Sequence, residues 1–193
     1  MTDPDDKLVQ KAIAGKSGAF NKLVTKYQQR ILFLAYDIVG DYEAAQDIAQ
    51  DAFIRAYNKL SDFQGNSRFS TWLYRITVNL AIDYHRKNKK RSDYSIDAAT
   101  KEIELTSEMS ALNSTSNFSE NLERDELKRQ LEQALTYVSP QQRTAITLRY
   151  FHEKSTREIA EIMGCAENTV RIHIFRGLKH LRKSLNKNEF TDK

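Results

Sequence analysis

An all-α fold, in two small helical domains joined by a flexible linker, is what this sequence predicts, and three observations predict it. Only two prolines and six glycines interrupt 193 residues. Apolar residues recur at helical rather than alternating spacing, and no strand–helix–strand pattern or internal repeat is present. One stretch, residues 94–119, lacks any period and is rich in Ser, Thr, Asn and Glu, a composition that need not be ordered. The boundaries fall at residues 1–92, 93–119 and 120–188, and each domain is long enough for a modest core of its own.

In the first domain, a helix over residues 41–60 places Ala45, Ile48, Ala49, Ala52, Ala56 and Leu60 on one side. Glu43, Asp47, Gln50, Asp51, Ile54 and Asn58 occupy the other. An acidic surface with an exposed isoleucine suits a basic protein partner, with a plain solvated face as the alternative. The next helix, from about residue 70, reads STWLYRITVNLAIDYHRKNKKR. Aromatics ahead of Arg86, Lys87, Lys89, Lys90 and Arg91 suit single-stranded nucleic acid, whose phosphates meet cations while unpaired bases stack at about 1–3 kcal/mol each. Phe69, Trp72, Leu73, Ile76 and Leu80 also make a core stripe, so Trp72 carries both readings.

In the second domain, Leu127, Leu131, Leu135 and Val138 mark a helix ending before Ser139-Pro140. Ser139, Pro140 and Gln142 supply an N-cap, a first-turn proline and a capping-box partner for the next helix, through Ala145, Ile146 and Leu148. Ser155 with Glu158 repeats the box, worth about 1 kcal/mol, ahead of Ile159, Ala160, Ile162 and Met163. Gly164 supplies the stop, and a last helix begins around residues 166–168.

A short capped helix, a glycine turn and a basic second helix are the parts of a helix-turn-helix that reads a major groove. At 100° per residue, Val170, Ile174, Leu178, Leu181 and Leu185 form a core stripe. Ile172, Arg176, Lys179 and Lys183 lie opposite, flanked by Arg171, His173 and Phe175. Arginine pairs bidentately with guanine, Ile172 or Phe175 can touch a thymine methyl, and Lys183 and Lys187 suit phosphates. Phe175 reads alternatively as a partly buried residue between domains. Gly177, mid-helix, points to close approach of another helix or of DNA backbone, with tight helix packing favoured, and Cys165 reads as a small buried filler ahead of a redox thiol.

Charge is distributed in blocks around a net +4. Residues 41–62 hold five acids against Arg55 and Lys59, and residues 68–91 hold seven Lys/Arg against Asp83 alone. Residues 92–126 return to nine acids against Lys101 and Arg124, and residues 168–188 carry six Lys/Arg with no acid. Two basic patches flanking an acidic linker favour nucleic acid over a solvated surface. One cysteine excludes an internal disulfide, and the four histidines lack ligand spacing, so no metal or cofactor is expected. Without a long apolar run or a leader-like N-terminus, the sequence reads as soluble and cytoplasmic, with no membrane insertion.

The segments DYEAAQDIAQDAFIRAYNKLSDFQGNSRFSTWLYRITVNLAIDYHRKNKKR and SPQQRTAITLRYFHEKSTREIAEIMGCAENTVRIHIFRGLKHL resemble the two modules of extracytoplasmic-function sigma factors, sigma-E-like members of the sigma-70 family. The resemblance implies a subunit that binds core RNA polymerase at its clamp and flap regions, directs it to promoters and melts the minus-ten element. It implies core binding through Asp47, Gln50, Asp51, Phe53, Ile54 and Arg55. Minus-ten capture falls to the loop over residues 63–70, with Asn66 and Ser67, and to Trp72, Tyr74, Asn79, Arg86 and Lys87. Minus-thirty-five reading falls to Arg171, His173, Phe175, Arg176, Lys179 and Lys183. A stress response under a membrane-anchored anti-sigma factor is implied as well. The chain departs from the family pattern at Ile172-His173, where Ser-Arg is common, and at Gly177, where alanine is usual. The departure bears on which promoter is read.

The linker contour over residues 93–119 is about 90 Å at 3.4 Å per residue. The named promoter elements lie about two and a half duplex turns apart, roughly 85 Å, so the linker is expected to run nearly extended. An enzyme is disfavoured by the absence of a phosphate-binding glycine loop, a zinc-spaced Cys/His set or a nucleophile motif. A helix-turn-helix repressor would need a ligand or receiver domain, and residues 1–92 lack the alternating strands of a receiver.

Overall fold

The computed structural model describes residues 5–94 and 138–188. The described residues are helical throughout: α1 (Asp6–Ile13), α2 (Ser17–Val39), α3 (Tyr42–Asn58), a single 3-10 turn (Leu60–Asp62), α4 (Phe69–Tyr94), α5 (Pro140–Tyr150), α6 (Thr156–Met163) and α7 (Glu167–Asn188). The α4 helix runs two residues into the expected linker, to Tyr94, and the rest of the linker and the expected helix at Leu127, Leu131 and Leu135 lie outside the described residues.

Local chemistry sets most of the ends. The α2 helix stops at Gly40, whose φ of 75° is left-handed and whose N–H bonds to the Tyr36 carbonyl. Asp41 then caps α3 by accepting from Ala44 N at 2.8 Å. The helix expected over residues 41–60 ends at Asn58, and Leu60 instead sits buried in the 3-10 turn. Ser155 and Glu158 close the capping box of α6 in both directions, at 3.2 Å and 2.9 Å. At α5 the box is half made. Ser139 accepts from Gln142 N at 3.4 Å, but Gln142 Oε1 is buried with no hydrogen-bond partner among the described residues.

The first module wraps α1, α3 and α4 around α2. Small residues on α3, Ala45, Ala49, Ala52 and Ala56, let its backbone approach its neighbours. Asp5 is buried ahead of α1 and accepts from Lys26 and Tyr27 of α2, which fastens the short first helix.

The core differs from the two separate cores expected. One apolar cluster runs from Val9 through Leu23, Ile31, Leu73 and Val78 into Leu148, Ile159, Ile162 and Val170. The physical reason is that α5 packs on α2 and α6 packs on α4. As a result, α5 is buried on every side from Arg143 to Leu148. Gly177 meets the expectation of tight packing: a Cβ there would lie 2.5 Å from Ile146 Cδ1.

Candidate nucleic-acid interface

The second module presents α6, a turn at Gly164 with φ 65°, and α7. Along α7, Val170 and Leu181 are buried and Ile174 is half-buried, as the stripe requires. Leu178 is the exception, being 40% exposed where a core position was expected. Phe175 is 70% exposed, so it is not an interdomain filler among the described residues. It shares the solvent face with Ile172, Arg171, Arg176, Lys179 and Lys183. Arg171 is steadied by Glu167 one turn earlier, at 3.3 Å. His173 is half-buried, and that burial, with Arg176 beside it, lowers its pKa. At neutral pH it offers a neutral imidazole, which can donate to or accept from a base edge rather than anchor a phosphate.

On α3, Asp47, Gln50, Asp51, Ile54 and Arg55 are exposed together, and Phe53 is half-buried against the core behind them. The α3 helix therefore carries a mixed acidic and apolar outer face.

The strand-capture candidates divide. Asn66 and Ser67 lie in the loop before α4, where Asn66 donates to Gln64 at 3.0 Å. The Trp72 ring is half-buried and packs on Phe63 at 5.1 Å and Phe69 at 5.9 Å between centroids. Trp72 meets its core reading through these rings, and the residue also lines a cleft of about 760 Å³. Asn79, Arg86 and Lys87 are exposed, with Arg86 paired to Asp83 at 2.7 Å. Tyr74 is buried, and burial raises its pKa. Its ring is met edge-on by His152 at 5.9 Å, and the Lys154 ammonium stands over it at 5.2 Å.

The wall of the cleft facing Asn66, Ser67, Trp72 and Arg75 is the helix-turn-helix itself, through Glu161, Gly164 and Cys165. Cys165 is thus a cleft residue as well as a filler, with its pKa raised by burial. Arg75, Asp37, Arg143 and His152 were not singled out from sequence. One signal was available: Asp37 falls in the last turn of α2, where the helix dipole disfavours an acid unless cations attend it. Among the described residues no group of His, Cys, Asp and Glu is placed to hold a metal, and no helix is long and apolar enough to cross a membrane.

Comparison with known proteins places this architecture. Residues 23–91 match Sigma-70 region 2 and residues 128–181 match Sigma-70, region 4. The chain is 38% identical over 183 residues to the RNA polymerase sigma-H factor of Pseudomonas aeruginosa, covering 95% of this chain and 94% of that protein. The chain belongs to the sigma-70 family of RNA polymerase sigma factors. It falls in the extracytoplasmic-function group, since it is also 38% identical over 172 residues to the sigma-E factor of Escherichia coli, covering 89% of each. The fold is shared with sigma factor RpoE of Bartonella quintana, solved in complex with the anti-sigma factor NepR. The TM-score is 0.63 at 21% identity, over 86% of this chain and 96% of that one. This sigma factor is accordingly a non-catalytic, promoter-specificity subunit of RNA polymerase.

Proposed function

We propose that this sigma factor grips a promoter at two points while core polymerase holds it at a third. The outer face of α3, through Asp47, Gln50, Asp51, Ile54 and Arg55 with Phe53 behind them, is the surface for the polymerase clamp. Its acids suit a basic partner, and Ile54 supplies a desolvated anchor. The loop over residues 63–70 and α4, through Asn66, Ser67, Trp72, Tyr74 and Asn79, take the melted minus-ten strand, with Arg86 and Lys87 on its phosphates. The α7 helix reads the minus-thirty-five duplex through Arg171, His173, Phe175, Arg176 and Lys179, with Lys183 on the backbone. The second module also meets the flap.

The observation that carries this reading is the exposed face of α7, where Phe175, Arg176 and Lys179 stand free on a helix entered through a glycine turn. The domain limits 1–92, 93–119 and 120–188 belong to the same proposal, with residues 93–119 spanning the two DNA elements. A sigma factor of this kind works in the cytoplasm, in an envelope-stress response, under an anti-sigma factor that is itself held at the membrane. The structurally similar sigma factor RpoE was solved in complex with an anti-sigma factor, NepR. The test is run-off transcription with purified core enzyme and an envelope-stress-type promoter. A transcript that requires both this chain and the promoter supports the reading, and none from any such promoter overturns it.

A further inference from the structure

Asn168 leads the exposed crest of α7. Val170, Gly177 and Leu181 are buried, so at about 100° per residue their positions fix the direction of the core. Asn168, Ile172, Phe175 and Lys179 share the opposite direction, and all four are exposed. Arg171 and Arg176 flank this crest on either side, also exposed.

Local structure does not require an asparagine at the head of the crest. The residue ahead of α7 is Ala166, whose carbonyl accepts from Val170 N at 3.2 Å, so Asn168 lies inside the first turn rather than capping it. Asparagine is also a poorer helix former than alanine. Among the described residues its amide has no hydrogen-bond partner.

Its neighbours supply the context. Arg171 Nη2 donates to Glu167 Oε2 at 3.3 Å, which draws the guanidinium back toward the start of the helix and leaves the rest of its fork for a guanine. Residues three apart on a helix are neighbours, with about 5–6 Å between Cβ atoms. Asn168 and Arg171 therefore reach adjacent base pairs, which are spaced about 3.4 Å along the duplex. Ile172, one turn along the crest from Asn168, is an apolar group in water. An A·T pair shows the major groove an adenine N7 acceptor and N6 donor together with a thymine methyl. An asparagine amide followed by an isoleucine is the complement of that pattern.

We infer that Asn168 is a specificity-determining residue of this sigma factor: its side-chain amide takes the N6 and N7 edge of an adenine in the minus-thirty-five element, beside the base pair that Arg171 meets. The inference rests on the reading of α7 proposed above. It places the closest base contact at the start of the helix, where recognition helices meet base edges.

The test uses holoenzyme assembled from core polymerase and either the parent chain or Asn168→Ala, on duplex promoters substituted singly at each minus-thirty-five position. Asn168→Ala should lose about fivefold to 150-fold in affinity on the preferred promoter, and should no longer distinguish A·T from other pairs at one position. A second arm leaves the protein untouched and replaces each adenine of the element by 7-deazaadenine. Parent holoenzyme should lose about twofold to tenfold at one adenine, and Asn168→Ala holoenzyme nothing further there. Equal loss on every promoter places Asn168 on a phosphate and overturns the inference. Parental affinity across the panel makes it a solvated surface residue, and overturns it too. So does a parent indifferent to every 7-deazaadenine, or a preference lost at a G·C pair. Should Phe175→Ala and Arg176→Ala holoenzymes also keep parental affinity and base preference, the reading of α7 itself fails. Should they lose it while Asn168→Ala does not, the inference alone falls.

Discussion

Arg143 of α5 donates to the carbonyl of Asp37 at the end of α2, across 106 positions of sequence, and is itself only 5% exposed. A buried guanidinium is tolerated only where its donors are met, and a buried carbonyl stripped of its donor costs about 1–3 kcal/mol. Arg143→Ala should therefore destabilise the chain by that order. Arg143→Lys should recover only part, because a single ammonium cannot reproduce the planar fork. Urea unfolding of the three proteins checks this, and equal midpoints would contradict it.

The same helix end makes stability depend on pH. His85 of α4 donates its Nε2–H to the Ile38 carbonyl at 2.8 Å. Burial lowers its pKa, the Ile38 bond opposes that shift, and Arg143 nearby adds to it. Asp37 and His152, 3.1 Å apart, are further ionisable groups at this helix end, and Asp41 follows just past Gly40. In the unfolded chain, histidine takes up a proton near pH 6.5, while folded His85 still resists. The unfolded state then binds more protons, so stability falls as pH drops below about 6.5 towards the lowered folded value. Half-buried His173, also lowered, adds in the same direction. His85→Gln should flatten the slope, and Arg143→Ala should raise the His85 titration point in NMR. A slope unaltered by His85→Gln counts against this account.

What the sequence made legible was local. The cap at Ser155 with Glu158, the stop at Gly164 and the close approach at Gly177 each depend on residues a few positions apart or on one missing side chain. The solvent face of α7 followed from periodicity alone, apart from Leu178. The joint between modules was not legible, because His152 and Asp37 are 115 positions apart and neither has a local pattern. The same holds for the continuous core. Amphipathic helices announce that a face is apolar but not which distant face covers it.

Gly177 offers a test of packing against propensity. Alanine in a helix interior gains about 1 kcal/mol over glycine. Here the new Cβ would stand 2.5 Å from Ile146 Cδ1 and 3.2 Å from Gln142 Cβ, and overpacking costs about 1–3 kcal/mol. Gly177→Ala should be neutral to destabilising by itself. Combined with Ile146→Val, which removes the clashing methyl, it should fare better than the sum of the two single changes. Thermal unfolding of this double-mutant cycle decides it, and additivity would show that Ile146 moves aside at no cost.

The face of α7 separates base reading from phosphate holding. Arg176→Ala should cost holoenzyme about 1–3 kcal/mol at one base pair of the minus-thirty-five element and relax specificity there. Lys183→Ala should weaken binding evenly across promoter sequences and reduce the salt slope by about one. Both variants are compared on a panel of single-base promoter substitutions. Equal losses on every sequence for both would erase the distinction.

Asp51 lies on the exposed face of α3 and shares that face with Asp47, Gln50 and Ile54. Reversing one charge at a rim lowers the association rate with a basic partner and makes binding less sensitive to salt, with little effect on folding. Asp51→Arg in the full chain should therefore compete poorly with the parent for limiting core polymerase. Its unfolding midpoint should stay the same, because the side chain is in water in both states. Raising ionic strength should narrow the gap between parent and variant, since screening weakens the attraction in one and the repulsion in the other. A variant that competes equally at low salt would move the polymerase surface off α3. A gap independent of salt would assign the loss to shape around Ile54 and Phe53 instead of charge.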